Sequence, residues 1–189
     1  MFHESGHAVM ALLTGGGVMN IKLSADTSGA AQTKSKYWLG KVLTSLAGYP
    51  VSSLTAWLFF WLLQQHKTNY VFYTIVSLIC INLILWVRNT FGMIWLVIMG
   101  AICTLIYIYA NAEIQYYAAV FFAGIILCQS VYSSVNLLII TVKNPGKAGD
   151  AKNLKDFTFL PALIWAALFV TLSIYVAYRI LFLLPCFSI

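Results

Sequence analysis

Apolar positions come in long runs, broken by a few short polar stretches. Residues 1–14 read as a short apolar helix that stops at Gly15-Gly16-Gly17, a helix-ending signal. Residues 18–36 (VMNIKLSADTSGAAQTKSK) are polar, and their early β-branched positions alternate, the pattern of a loop carrying a short β-hairpin. Five further apolar runs follow, at about Trp38–Leu63, Tyr70–Val87, Phe91–Ala110, Gln115–Val142 and Phe159–Leu184. Pro50 marks a kink in the first of these five, and the polar stretch KNPGKAGDAKNLKD separates the last two. Each of the five is close to the roughly 20 residues that cross a bilayer. The pattern therefore predicts an all-α polytopic membrane protein with about six membrane helices, the first short or truncated. All of it, residues 1–189, forms one integral-membrane domain, because backbone in lipid must satisfy its own hydrogen bonds.

Composition agrees. The chain is 61% hydrophobic and 8% charged with mean hydropathy +0.87, against roughly 25% charged residues in soluble domains. The first helix lacks the basic leader of a signal peptide. At 14 residues it reaches only about 21 Å, which predicts a start upstream of Met1 or inside the membrane. The net charge of +6 reflects membrane topology rather than nucleic-acid binding. Lys22, Lys34, Lys36, Lys41, Arg88, Lys143, Lys147, Lys152 and Lys155 follow the first, third and fifth runs. Only Lys67 and Arg179 belong to the other face. By the positive-inside rule the first set is cytoplasmic in a multi-pass cell-membrane protein. Cys80, Cys103, Cys128 and Cys186 lack metal or redox spacing and read as small buried hydrophobes. Trp38 and Trp86, near run ends, read as interface anchors. Nothing in the pattern fixes an oligomeric state.

Against this apolar background the first seven residues stand out. His3, Glu4 and His7 make H-E-x-x-H, using one of only five acidic residues in the chain. Positions i and i+4 share a helix face, so His3 and His7 can hold one zinc ion between neutral imidazoles. Glu4, beside the first ligand, can take a proton from a zinc-activated water. A charged group in a membrane segment is costly and marks function. A catalytic zinc takes a third protein ligand. His66 and Glu113 fall on the opposite face by the charge pattern. Asp26 lies in the SADTSG turn. Asp150, in AGDA, has small neighbours that allow close approach to a metal, with an N-cap role for AKNLKD as its alternative. Asp156 reads as leading into the last helix, with Thr158 as its cap and Pro161 in its first turn. Gln129, Ser130, Ser133, Ser134 and Asn136 form a polar stripe, suited either to a wet cavity or to interhelical hydrogen bonds. Gly48 and Ser52 are spaced for close helix packing.

FHESGH, then G-x-V-x-x-I-x-L, DTSG, LAGY, VNLL, GDA and a proline-initiated last helix run in order from Phe2 to about Ala167. This series resembles the bacterial branch of the site-2-protease-type intramembrane zinc metallopeptidases. The resemblance implies zinc held by His3, His7 and Asp150, with Glu4 as general base. It implies a substrate-binding role for Asn136. The prolines and Asp-Gly step of the N-x-x-P-x-P-x-x-D-G pattern of better-known members are absent here. The implied activity is hydrolysis of membrane-embedded or membrane-adjacent protein substrates, with the lipid bilayer as setting and the active site toward the cytoplasmic side. The alternative is a non-catalytic protein of the same fold, serving partner binding or metal handling. Glu4 argues against it, since a structural zinc needs no base. The 18–36 segment could then pair with an extended substrate strand.

Overall fold

The computed structural model describes residues 1–24 and 29–183. In chain order the elements are α1 (Phe2–Leu13), β1 (Gly17–Leu23), β2 (Gly29–Lys34), α2 (Trp38–Gln64), α3 (Thr68–Ile81), α4 (Thr90–Tyr109), α5 (Ala112–Lys143), α6 (Gly149–Phe157) and α7 (Ala162–Leu183). Five helical stretches are long and apolar enough to cross a membrane: Trp38–Gln64, Thr68–Trp86, Thr90–Tyr109, Ala112–Lys143 and Ala162–Phe182. The expected sixth, α1, has 12 residues and spans only about 18 Å. It packs on α2.

Local sequence accounts for these boundaries. α1 ends where Gly15 adopts φ +71°, a conformation that costs glycine nothing. Gly15 N–H then donates to Leu12 O and Gly16 N–H to Ala11 O, the two bonds of a Schellman cap. The same cap closes α2: His66 takes φ +55°, with His66 N–H on Leu63 O and Lys67 N–H on Leu62 O. His66 is thus a turn residue. α3 continues through a π-helical turn, Asn82–Trp86, and Arg88 donates to the carbonyls of Ile84, Leu85 and Val87 that this turn leaves open.

The hairpin expected in 18–36 forms. β1 and β2 pair antiparallel, Gly17 with Lys34 through Leu23 with Gly29, with an irregularity between Val18 and Asn20. The far edge of β1 is also taken. Ile21 bridges Val87, and the Asn89 amide accepts from Leu23 N–H at 3.1 Å and donates to Leu23 O at 2.7 Å. Asp26 lies outside the described residues.

α2 is the hub, packed against α1, α5, α6 and α7. One apolar cluster gathers Phe59, Phe60, Leu63, Phe72, Ile75 and Ile79 with Ala119 and Ala123. A second joins Tyr49, Leu137, Ala148, Ala151, Leu154, Ala166 and Phe169, and seats α6 on the bundle. The polar stripe on α5 divides. Ser130 bonds Ser53 of α2 and Ser134 bonds Ser173 of α7, each at 2.6 Å, so those two serines join helices. Gln129 donates to Ser133 at 3.2 Å on the outside, and Asn136 is exposed.

Several expectations are corrected. Trp86 is 6% exposed, a core residue and not an interface anchor; Trp38 is exposed and donates its indole N–H to Phe157 O. Cys103 is buried, but Cys80 and Cys128 lie exposed on helices that present their flanks outward; Cys186 lies outside the described residues. Thr158 closes α6 rather than opening α7, its hydroxyl donating to Leu154 O.

Candidate metal centre

α1 carries His3 and His7 one turn apart on the side facing α2, so their Nε2 atoms come within 3.0 Å of each other. The first turn of α6 supplies Asp150, whose Oδ2 lies 3.3 Å from His3 Nε2 and 3.2 Å from His7 Nε2. Of the four third-ligand candidates in the described residues, Asp150, Asp156, His66 and Glu113, none but Asp150 reaches the histidines. Asp156 is exposed on α6. His66 and Glu113 instead line one shallow cavity with Thr68, Tyr116 and Tyr117. Measured along α2, that cavity begins about 27 Å beyond Gly48. Asp150 is also not an N-cap: the capping position is Ala148, and Asp150 sits within the helix.

Three features fit this trio to a divalent ion such as zinc. First, tetrahedral bonds of 2.0–2.1 Å put ligand atoms about 3.3 Å apart, close to the 3.0–3.3 Å observed. Second, the tautomer is set. His7 Nδ1 lies 2.6 Å from Thr44 O, and a carbonyl only accepts, so Nδ1 carries a hydrogen and Nε2 is the nitrogen left to take a proton or a metal ion. His3 Nδ1 is buried without a hydrogen-bond partner, leaving its Nε2 as the productive atom. A lone pair and a carboxylate oxygen 3.2 Å apart repel unless a proton or a metal ion lies between them.

Third, space is kept open. A Cβ on Gly48 would fall 2.5 Å from His3 Cε1 and His7 Nε2 and 2.7 Å from His3 Nε2. Glycine there is required by the histidines, not by helix packing as its spacing with Ser52 suggests. Ser52 instead turns its hydroxyl to Gly48 O. Burial raises the Asp150 carboxyl, but hydrogen bonds and charge from His3 and His7 in their protonated form outweigh that effect and hold it well below the usual carboxylate range. It is therefore ionised, as a ligand must be.

Glu4 is buried, 7% exposed, and stands outside the ligand trio. Its side chain packs on the start of β2. A Cβ on Gly29 would meet Glu4 Cγ at 2.7 Å and Oε1 at 2.8 Å. Next to it, Ser5 accepts from Asn82 Nδ2 at 2.9 Å, tying α1 to the π turn. The Tyr49 ring stands edge-on to His3, centroids 4.5 Å apart, and stacks on Phe169 of α7 at the same separation. Gly48, Tyr49, Gly29 and the Thr44 carbonyl carry no ligand signature of their own. The stretch LAGY points to the first two; Thr44 acts through its backbone, which side-chain chemistry cannot reveal.

A helical membrane bundle that buries an H-E-x-x-H helix against a small hairpin, with an aspartate closing the histidine pair, has the arrangement of a membrane metallopeptidase. The chain belongs to the Peptidase M50B-like family, whose model matches residues 1–179. No curated protein and no solved structure matches the chain.

Proposed function

We propose that this protein is a zinc-dependent endopeptidase of site-2-protease type, cleaving membrane-embedded or membrane-adjacent proteins. The observation that carries this reading is the convergence of His3, His7 and Asp150 within 3.3 Å beside the buried Glu4. His3 and His7 with Asp150 would hold the ion. Zinc bound there supplies Lewis acidity toward the scissile carbonyl and makes a water acidic enough to attack near neutral pH.

The remaining work falls to the chain. The Thr44 carbonyl keeps His7 in its ligating tautomer and fixes the ring. Glu4 takes a proton from the attacking water and delivers it to the leaving amide nitrogen, the general base and acid in turn. Its burial on Gly29 holds it close to the trio without competing as a ligand. A substrate helix hides its amides in internal hydrogen bonds and must unwind before attack. β1 is engaged on both sides, by β2 and by Val87 and Asn89, whereas among the described residues β2 pairs only with β1. An extended substrate segment added to β2 would run beside Glu4. Asn136, exposed on α5 next to Leu137 of the cluster that includes Tyr49, would hydrogen-bond that segment. The excess of lysines at the end bearing α6 supports a site on the cytoplasmic side of the cell membrane.

The test separates binding from chemistry. Purified wild type, Glu4→Gln and His7→Ala are assayed on a single-span membrane reporter, with zinc counted by atomic absorption. Wild type cleaves and holds one zinc per chain. Glu4→Gln holds zinc but does not cleave, and His7→Ala loses both. A Glu4→Gln protein that cleaves at the wild-type rate refutes the proposal.

A further inference from the structure

The surface around α6 has a character that the metal chemistry does not use. α6 is amphipathic: Ala151 and Leu154 are buried in the cluster with Tyr49 and Phe169, while Lys152, Asn153, Lys155 and Asp156 are exposed. Lys143 and Lys147, just before it, are exposed as well. The start of α2 adjoins this surface through the Trp38–Phe157 hydrogen bond of 2.6 Å. Lys41 lies 5.7 Å over the Phe157 ring. None of these lysines has a carboxylate partner among the described residues. Beside the free ammonium groups stand exposed Tyr37, Trp38, Leu160 and Phe159, the last completely bare at 107%.

Phe159 is not on a spanning helix. It lies in the connection between α6 and α7, where backbone in hydrocarbon would lack partners. Unpaired lysines interleaved with exposed aromatics on an amphipathic helix are the composition of a segment lying in the headgroup layer. Its sign of charge calls for an anionic headgroup.

That surface is built on the element that supplies a metal ligand. Asp150 is the second residue of α6, directly after Gly149, which takes φ +44°. A helix of nine residues has little stability of its own. Where Asp150 stands therefore depends on how α6 is seated. We propose that α6 and the start of α2 form a binding surface for anionic phospholipid headgroups, and that headgroup binding seats α6 so that Asp150 meets His3 and His7. The second half rests on the zinc reading above; the first does not.

The experiment uses the full chain and has two arms. In the first, native mass spectrometry titrates it with phosphatidylglycerol, with phosphatidylcholine, and with phosphatidylglycerol in the presence of free glycerol 1-phosphate. In the second, zinc affinity is measured by chelator competition in phosphatidylcholine vesicles with and without phosphatidylglycerol. Wild type should prefer phosphatidylglycerol, uncontested by glycerol phosphate, and bind zinc more tightly when it is present. A lysine near an anionic surface is worth about fivefold in binding. Lys147→Gln, Lys152→Gln and Lys155→Gln combined should therefore cut the preference by up to about a hundredfold and remove the lipid dependence of zinc affinity.

Equal binding of the two lipids, or a triple variant with wild-type preference, overturns the surface whether or not zinc binds. Displacement by glycerol phosphate overturns the assignment to lipid. A lipid preference with unchanged zinc affinity overturns the link to Asp150. Absence of zinc under every condition overturns that link together with the metal reading, while the first arm still decides the surface.

Discussion

Gly48→Ala adds one carbon at the point where α2 faces the two histidines. Its Cβ would stand 2.5 Å from His3 Cε1 and His7 Nε2, where ordinary contact begins at 3.4 Å. Something must yield by 0.9 Å, the difference of those two distances. Metal ligands hold their distances to within about 0.2 Å, so a displacement several times larger takes the imidazoles out of ligating position. The cost to folding is smaller. Overpacking a core costs about 1–3 kcal/mol, and alanine returns roughly 0.8–1 kcal/mol of helix propensity over glycine. The variant should therefore fold, at a net loss of up to about 2 kcal/mol, while losing well over the 10–100-fold in zinc affinity typical of disturbing a ligand's surroundings. Chelator competition measures the affinity, and thermal unfolding monitored by circular dichroism measures the fold. Gly124→Ala is the control, since a Cβ there meets nothing within 4 Å. If Gly48→Ala binds zinc as tightly as wild type, the ion does not sit between His3 and His7, and the site as described is wrong.

Other expectations follow from the same geometry. Asp150→Ala should lower zinc occupancy sharply and Asp156→Ala should leave it nearly intact, because among the described residues only Asp150 stands within 3.3 Å of both histidines; equal occupancy in a metal count would remove Asp150 from the ligand set. Asn136→Ala should raise KM for a membrane reporter and spare zinc; unchanged kinetics would deny it a part in substrate binding. Removing the hydrogen bonds between Asn82 and Ser5 by Asn82→Leu should lower kcat more than zinc affinity, since Asn82 touches the residue beside Glu4 rather than a ligand. For topology, cysteines placed at Lys67 and Lys147 in a background without native cysteines should differ toward an impermeant thiol reagent in intact cells. Position 67 should react and position 147 should not, and the reverse would invert the orientation.

The periodicity of apolar runs was sufficient to find every long helix to within a few residues, because a membrane span is a local property of length and hydropathy. The H-E-x-x-H pair was legible for a similar reason: a helix fixes the relation of i to i+4 without help from the rest of the chain. The hairpin followed from alternation over a few residues. Beyond that reach the sequence could only nominate. The small neighbours of Asp150 in AGDA favoured it over Asp156, but local sequence could not set either carboxylate against the histidines. What distinguishes them is that Ala151 and Leu154 are buried against α2, α5 and α7, which turns position 150 toward α1 and leaves position 156 outside. His66, set on the opposite face by the charge pattern, is a helix cap in the fold. Gly48 looks like a packing residue and proves to be the space the two imidazoles need. Metal sites join residues distant in the chain at tolerances of tenths of an ångström, and only the packing of whole helices sets distances to that scale.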